Sequence, residues 1–254
     1  MTDFPAVLVT GGAKRIGRAI ATDLAMRGYP VAIHANGSLD AAEELADLLR
    51  VDGARAAAVG ADLMDDAATG GLIANAADAL SQPIALLVNN ASIFENDTAT
   101  GFSQRQFNLH MRVHVAAPAQ LAGQMVMRLP ADREGLVVNM IDQRVHALTP
   151  HFFTYTLSKS AQWTMTKTMA LDFAPRVRVN AIGPGPTLKN VRQSDADFQK
   201  QTDAVPLKRG PSLDEFAATI DYLWQAKSVT GQMIALDGGQ HLAWETPDVV
   251  GINE

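Results

Sequence analysis

A phenol and an ammonium stand four positions apart in Tyr155-Thr156-Leu157-Ser158-Lys159. On a helix that spacing puts both on one face. A cation beside a tyrosine favours phenolate and lowers the pKa, which makes a general acid–base usable near neutral pH. An exposed, solvated pair without chemistry has the same spacing. Thirteen residues before the tyrosine comes Asp142. An ionised carboxylate accepts from N–H but cannot donate to an oxygen that is gaining negative charge. It therefore suits ring N–H groups or a C=N bond better than a simple ketone. Its quieter role is to cap local backbone. Near the N-terminus, Thr10-Gly11-Gly12-Ala13-Lys14-Arg15-Ile16-Gly17 joins an apolar run to a helical pattern. Glycine lets backbone approach a diphosphate, and a helix N-terminus offers free N–H groups to it. A plain tight turn would use the same glycines.

These groups need a scaffold, and the apolar pattern supplies one. Ala6–Thr10, Val31–His34, Ala56–Val59, Ile84–Asn89, Leu136–Ile141, Val177–Ile182 and Met233–Leu236 read as buried strands. Their near-continuous apolarity is what a parallel sheet covered on both faces demands. Helical patterns lie between them at Arg15–Arg27, Asp40–Arg50, Asp66–Leu80, Ser103–Arg128, Thr154–Phe173 and Leu213–Gln225. The alternation predicts an α/β fold, a single Rossmann-type domain over residues 1–254 with about seven strands and helices on both faces. Gly183–Pro211, Gly- and Pro-rich at both ends and polar between, reads as a substrate-binding loop or lid. The tail after Leu242 is an arm or a frayed end.

The 254 residues are 47% hydrophobic and 19% charged, ordinary for a globular chain and unlike a disordered or coiled-coil one. A formal charge of −6 speaks against nucleic acid or an anionic membrane as partner. Zero cysteines exclude a disulfide framework, a Cys-based zinc site and a thiol nucleophile, and no metal-ligand spacing is visible among the histidines. Neither a secretory signal in MTDFPAVLVTGG nor a bilayer-length apolar run is present, so the expectation is a cytoplasmic protein with a small-molecule substrate.

Charge predicts the nucleotide. Sheets that bind NAD usually put a carboxylate at the end of the second strand to hold the ribose 2′-hydroxyl. Here that stretch is His34-Ala35-Asn36-Gly37-Ser38, without an acid, while Lys14 and Arg15 stand ready for a 2′-phosphate. NADPH is expected over NADH. His34, Asn36, Gly37 and Ser38 are cofactor candidates by position; a hydrogen-bonded histidine and a helix N-cap are the alternatives for His34 and Ser38.

Thr10–Gly17, Asn89-Asn90-Ala91-Ser92, Tyr155-x-x-x-Lys159, Arg178-Val179-Asn180-x-x-x-Pro184-Gly185 and Asp237-Gly238-Gly239 stand in the order and spacing of the short-chain dehydrogenase/reductase family. The resemblance spans residues 6 to 240. It implies that Tyr155 donates the proton and that Lys159 binds the nicotinamide ribose. Gly11, Lys14, Arg15, Ile16 and Gly17 would hold phosphate, Asn89 and Ala91 would line the cofactor, and Asp62 and Leu63 would meet the adenine. Pro184 would pack near the carboxamide, with Thr187 following. Two positions depart from the family pattern: Asp142 replaces a serine, and His114 stands where a catalytic asparagine is usual.

The combination resembles the pteridine reductase and dihydromonapterin reductase branch. That branch shares Thr10–Gly17, Ile33-His34, Asn89–Ser92 followed by Phe94, Asp142, and Tyr155 with Lys159. Its frequent basic residue after the strand-two histidine is Gly37 here. The resemblance implies a pterin stacked on Phe94, with Arg15, Ser92, Asp142, Tyr155 and Gly185 around it. The implied reaction is NADPH-dependent reduction of a dihydropteridine to its tetrahydro form, with the proton delivered through Tyr155 and Asp142, in a homotetramer. A carbonyl reductase of thioesters or sugars and a nonenzymatic NADP-binding regulator are the alternatives.

Overall fold

Seven strands form one parallel sheet in the order β3-β2-β1-β4-β5-β6-β7. They are β1 (Ala6–Val9), β2 (Val31–Ala35), β3 (Ala56–Gly60), β4 (Ile84–Asn89), β5 (Gly135–Met140), β6 (Val177–Pro184) and β7 (Met233–Leu236). The computed structural model describes residues 4–190 and 193–245; the tail beyond Glu245 lies outside them. Side chains alternate across the sheet as the strand period requires. Val7, Val9, Val31 and Ile33 meet α1 (Arg15–Met26), α2 (Leu39–Val51) and α8 (Asp214–Gln225) on one face. Ala6, Leu8, Ala32 and Leu87 meet α3 (Asp66–Leu80), α5 (Ala117–Arg128) and α6 (Phe153–Asp172) on the other.

The strand order reverses between β1 and β4, and in open α/β sheets ligands bind beyond the carboxyl ends of the strands at that point. The two strand ends are laced together there. Thr10 Oγ1 accepts from the backbone N–H of Asn90 (2.9 Å) and of Ala91 (3.0 Å), and Asn90 Nδ2 donates back to the Thr10 carbonyl at 2.9 Å. At the far end, Arg178 caps α8 by donating to the carbonyls of Leu223, Trp224 and Ala226. That satisfies acceptors a helix C-terminus otherwise leaves open.

Three expectations need correction. Met233–Leu236 is half-exposed rather than buried, because β7 is an edge strand with a neighbour on one side only. Ser103–Arg128 is not one helix. It comprises α4 (Gln104–Met111), a π-helical turn over Arg112–Ala116, and α5. The segment 183–211 begins inside β6 and contains α7 (Asp195–Ala204), opened by a reciprocal Ser194–Asp197 capping box. No residue of α7 is buried, so no apolar repeat announced it.

The phosphate-loop glycines differ from Gly37 in what surrounds them. Gly11 has φ +63°, and a Cβ on Gly17 would lie 2.2 Å from the Gly11 carbonyl oxygen and 2.5 Å from Asn90 Nδ2. A Cβ on Gly37 would meet nothing within 4 Å. Gly17→Ala should therefore destabilise the protein by about 1–3 kcal/mol and Gly37→Ala by less than about 0.5 kcal/mol in urea denaturation. Equal costs would contradict the close packing of this loop.

Candidate active site

A cavity of about 890 Å³ opens beyond the carboxyl ends of the strands, near the upper end of the range for ligand sites. One arm runs along Gly11, Lys14, Arg15, Ile16 and Gly17, past His34, Asn36, Asp62 and Leu63. The other is bounded by Ala91, Ser92, Phe94, Asp142, Tyr155, Lys159, Pro184, Gly185 and Thr187. Three sequence candidates do not line it. Gly37 and Ser38 lie past the rim, and Ser38 precedes α2 without a side-chain capping bond. Asn89 is buried inside the sheet, donating to Asn139 Oδ1 at 2.8 Å; its neighbour Asn90 reaches the cavity instead.

The phosphate arm is hydrogen-bonded to its neighbours and carries the cations Lys14 and Arg15. His34 Nδ1 accepts from the Gly11 N–H at 3.1 Å, which leaves Nε2–H to donate to the Ala61 carbonyl at 3.1 Å. Burial holds this imidazole below its ordinary pKa, so it fixes the loop as a neutral group. Its hydrogen-bonded role and its place on the cavity wall therefore coexist. Arg15, at φ +53°, reaches across the opening to the carbonyls of Leu188 and Lys189, both at 3.2 Å. No acid follows β2 on the cavity wall; Asp62, after β3, turns its Oδ1 to the Met64 N–H at 2.9 Å. Glycine backbone, a helix N-terminus and the cations Lys14 and Arg15 at one end, with a buried lysine and tyrosine at the other, fit a phosphorylated dinucleotide.

The reactive end centres on Asp142, which follows β5. Tyr155 Oη donates to its Oδ2 at 2.9 Å, and the Arg144 N–H donates to Oδ1 at 2.8 Å. Capping of local backbone and contact with the tyrosine are thus simultaneous. Burial first, then the Asp142 charge, pushes the Tyr155 phenol well above its ordinary pKa. This differs from the expectation of a lowered value: in the protein by itself burial, then the Asp142 charge, outweigh the lowering influence of Arg144, and Tyr155 is held as a neutral donor. Lys159 Nζ lies 5.8 Å from the Tyr155 ring centroid and donates to the Met140 carbonyl (2.7 Å) and Gln162 Oε1 (3.1 Å). Burial lowers its pKa to about 7, against a raising influence of Asp142.

Behind Tyr155 the π-helical turn delivers His114. Its Nε2 accepts from the Ile93 N–H (3.1 Å) and faces Ser92 Oγ (3.0 Å). Nδ1–H therefore donates to Ser158 Oγ (2.8 Å), which donates to the Tyr155 carbonyl (2.6 Å). Burial, then Lys159 and His110, keep this imidazole neutral. His114 thus ties the Ser92–Ile93 loop to the turn of α6 that carries Tyr155. His110, stacked 5.6 Å from it, contacts Thr154, whose hydroxyl donates to Asp97. The sequence reading names neither Arg144 nor Phe152 and carries Asn90 only as part of a motif. Arg144 lines the cavity over the stacked rings of Phe94 and Phe152, which lie 4.3 Å apart.

The family profile for short chain dehydrogenases matches residues 5–200. The chain belongs to the short-chain dehydrogenase family. It is 53% identical to the FolM alternative dihydrofolate reductase 1 of Brucella suis, whose crystal structure is a complex with NADP. The likeness has a TM-score of 0.95 and covers 98% of this chain and 100% of that one. A dihydromonapterin reductase of Klebsiella pneumoniae is 28% identical, over 93% of this chain and 96% of its own length. A 3-oxoacyl-[acyl-carrier-protein] reductase, FabG, of Staphylococcus epidermidis is 27% identical, over 92% and 98%.

The depressed value of Lys159 has a stability consequence with a definite sign. Between about pH 7 and the ordinary lysine value of 10.5 the unfolded chain holds a proton that the folded one has released. Burial of this lysine thus costs stability fully below pH 7, and the cost fades as pH rises towards 10.5. Relative to Lys159→Met, the wild-type protein without ligand should gain stability from pH 7 to pH 10 in urea denaturation. A constant difference would show that Lys159 titrates normally.

Proposed function

We propose that this short-chain dehydrogenase is an NADPH-dependent reductase that converts a dihydropteridine of the pterin or folate type to its tetrahydro form. The observation that carries the reading is the Asp142 carboxylate, hydrogen-bonded to Tyr155 at 2.9 Å on the wall of a cavity that also holds Phe94. A carboxylate there repels the oxyanion that ketone reduction would generate, whereas it attracts the N–H groups of a pteridine. The similarity to FolM and to a dihydromonapterin reductase supports the same choice. FabG stands behind the competing reading, reduction of a 3-oxoacyl thioester, and Asp142 opposes it. An intact Tyr155 and Lys159 argue against a regulator that only binds nucleotide.

NADPH, when bound, supplies the hydride. Gly11, Ile16 and Gly17 would take its diphosphate, Lys14 and Arg15 its 2′-phosphate, Asn36, Asp62 and Leu63 its adenosine, and Lys159 and Pro184 the nicotinamide end. Reduction places a hydride on carbon and a proton on nitrogen of the C=N bond, and the Tyr155–Asp142 pair handles the proton. Phe94 offers an aromatic face to the ring. Ser92, Gly185, Thr187 and the segment 183–211 would enclose the rest of the substrate. Exposed Met127, Leu157 and Leu171 on α5 and α6 support a homo-oligomer, a tetramer by family habit. Among the described residues no helix is long and apolar enough to cross a membrane, consistent with a cytoplasmic enzyme.

The test is NADPH consumption with dihydrobiopterin or dihydromonapterin, set against acetoacetyl thioester. Pterin turnover should exceed thioester turnover, and kcat/KM should be higher with NADPH than with NADH. Tyr155→Phe should lower kcat by about 10²–10⁴-fold while NADPH still binds. Preference for the thioester would overturn the proposal.

A further inference from the structure

Arg144 places a cation in the substrate half of the cavity, where neither the tyrosine–lysine pair nor the phosphate loop requires one. Its Nη1 donates to Asp142 Oδ2 at 3.0 Å and its backbone N–H to Asp142 Oδ1 at 2.8 Å. The Asp142 side chain is 13% exposed and that of Arg144 20%, so the pair is largely withdrawn from water. The guanidinium lies 5.3 Å from the Phe94 ring centroid and 5.1 Å from that of Phe152, in cation–π range of both. Phe152 caps α6 with its backbone at φ +57°, so the first turn of the catalytic helix carries one of the rings that hold Arg144.

We propose that Arg144 is a positioning residue that keeps Asp142 an acceptor only, so that Asp142 anchors a substrate N–H and Tyr155 alone supplies the proton. The inference rests on the dihydropteridine reading above. Arginine is not deprotonated in proteins, and a carboxylate offers about four acceptor positions. Oδ2 already takes Arg144 Nη1–H and Tyr155 Oη–H, and Oδ1 takes the Arg144 N–H. A proton on Oδ2 would point at two donors, and one on Oδ1 would compete with the backbone bond. One acceptor position on Oδ1 is left for a ligand. A second opens on Oδ2 when Tyr155 turns its proton to the substrate nitrogen. The site then recognises a heterocycle through its N–H donors. Reduction balances with the hydride on carbon, the phenol proton on nitrogen, and the phenolate regaining a proton from solvent.

The experiment is a double-mutant cycle on the NADP⁺-loaded protein with Arg144→Gln, Asp142→Asn and both together. The probe is oxidised biopterin, which keeps the pyrimidine N–H donors; calorimetry gives its Kd, and dihydrobiopterin turnover gives kcat. Each single substitution should weaken biopterin binding about tenfold, the value of one hydrogen bond to a charged group. The double variant should be no weaker than the worse single one, because both remove the same anchor. Arg144→Lys, which keeps a cation beside Asp142 but loses the planar guanidinium over the two rings, should bind biopterin more tightly than Arg144→Gln does. Losses that multiply, an unchanged Kd in Arg144→Gln, or a loss confined to kcat would each overturn the assignment while wild-type turnover upholds the pteridine reading. A wild-type enzyme that neither binds biopterin nor reduces dihydropterin would instead overturn the reading itself, and this inference with it.

Discussion

Burying a phenol, an ammonium and a carboxylate side by side is the constraint on which the reactive end depends. Each charged group alone would be costly away from water. Together they offset one another. Asp142 lies against Arg144 and Tyr155, and its charge raises the proton affinity of both Tyr155 and Lys159. Lys159 still titrates near 7, because desolvation exceeds that help. The site therefore stores a neutral phenol beside an anion, a donor awaiting an acceptor, and its proton inventory can change near physiological pH through the lysine.

Neutral groups supply the rigidity that this charge cluster needs. His34 and His114 are each fixed in one tautomer by a backbone N–H, from Gly11 and Ile93 respectively. One holds the phosphate loop against β2. The other holds the loop after β4 against α6. A π-helical turn accommodates His114 at this point, and π bulges are frequent where a helix must turn a side chain into a site. A histidine therefore occupies the usual asparagine position without breaking the architecture, as a strut between loop and catalytic helix. Neither imidazole is poised as a cation, since burial lowers the proton affinity of both.

Sheet and phosphate loop were legible because both obey local rules. Unbroken apolar strands and helices with period 3.6 follow from double burial, and a loop that needs φ +63° or has no room for a Cβ needs glycine. What escaped reading has no apolar period to announce it. Arg144 matters because a 3₁₀ turn brings it back on Asp142 while Phe94 and Phe152 approach from distant segments. Helix α7 carries no buried residue and so no apolar period, although Ser194-x-x-Asp197 marks its start. The direction of the tyrosine's shift has the same origin: the lysine four residues away is visible in sequence, whereas burial of the phenol, the largest cause, is a property of the fold.

The two halves of the cavity therefore obey different constraints. Around the phosphate loop, packing fixes residue identity: Gly17 touches Gly11 and Asn90, and Thr10 is bonded to both strand ends. Near Asp142, charge and aromatic surface decide chemistry without supporting the sheet, since Arg144 and Phe152 stand after β5 and at the start of α6 rather than in the core. Replacing Asp142 by serine, the residue usual in the family, would leave the Arg144 guanidinium without its carboxylate partner beside two aromatic rings. Asp142 and Arg144 are best regarded as one unit. In the proposed reading the pair, rather than the tyrosine and lysine common to the family, sets an N–H-binding pocket apart from one built for ketones.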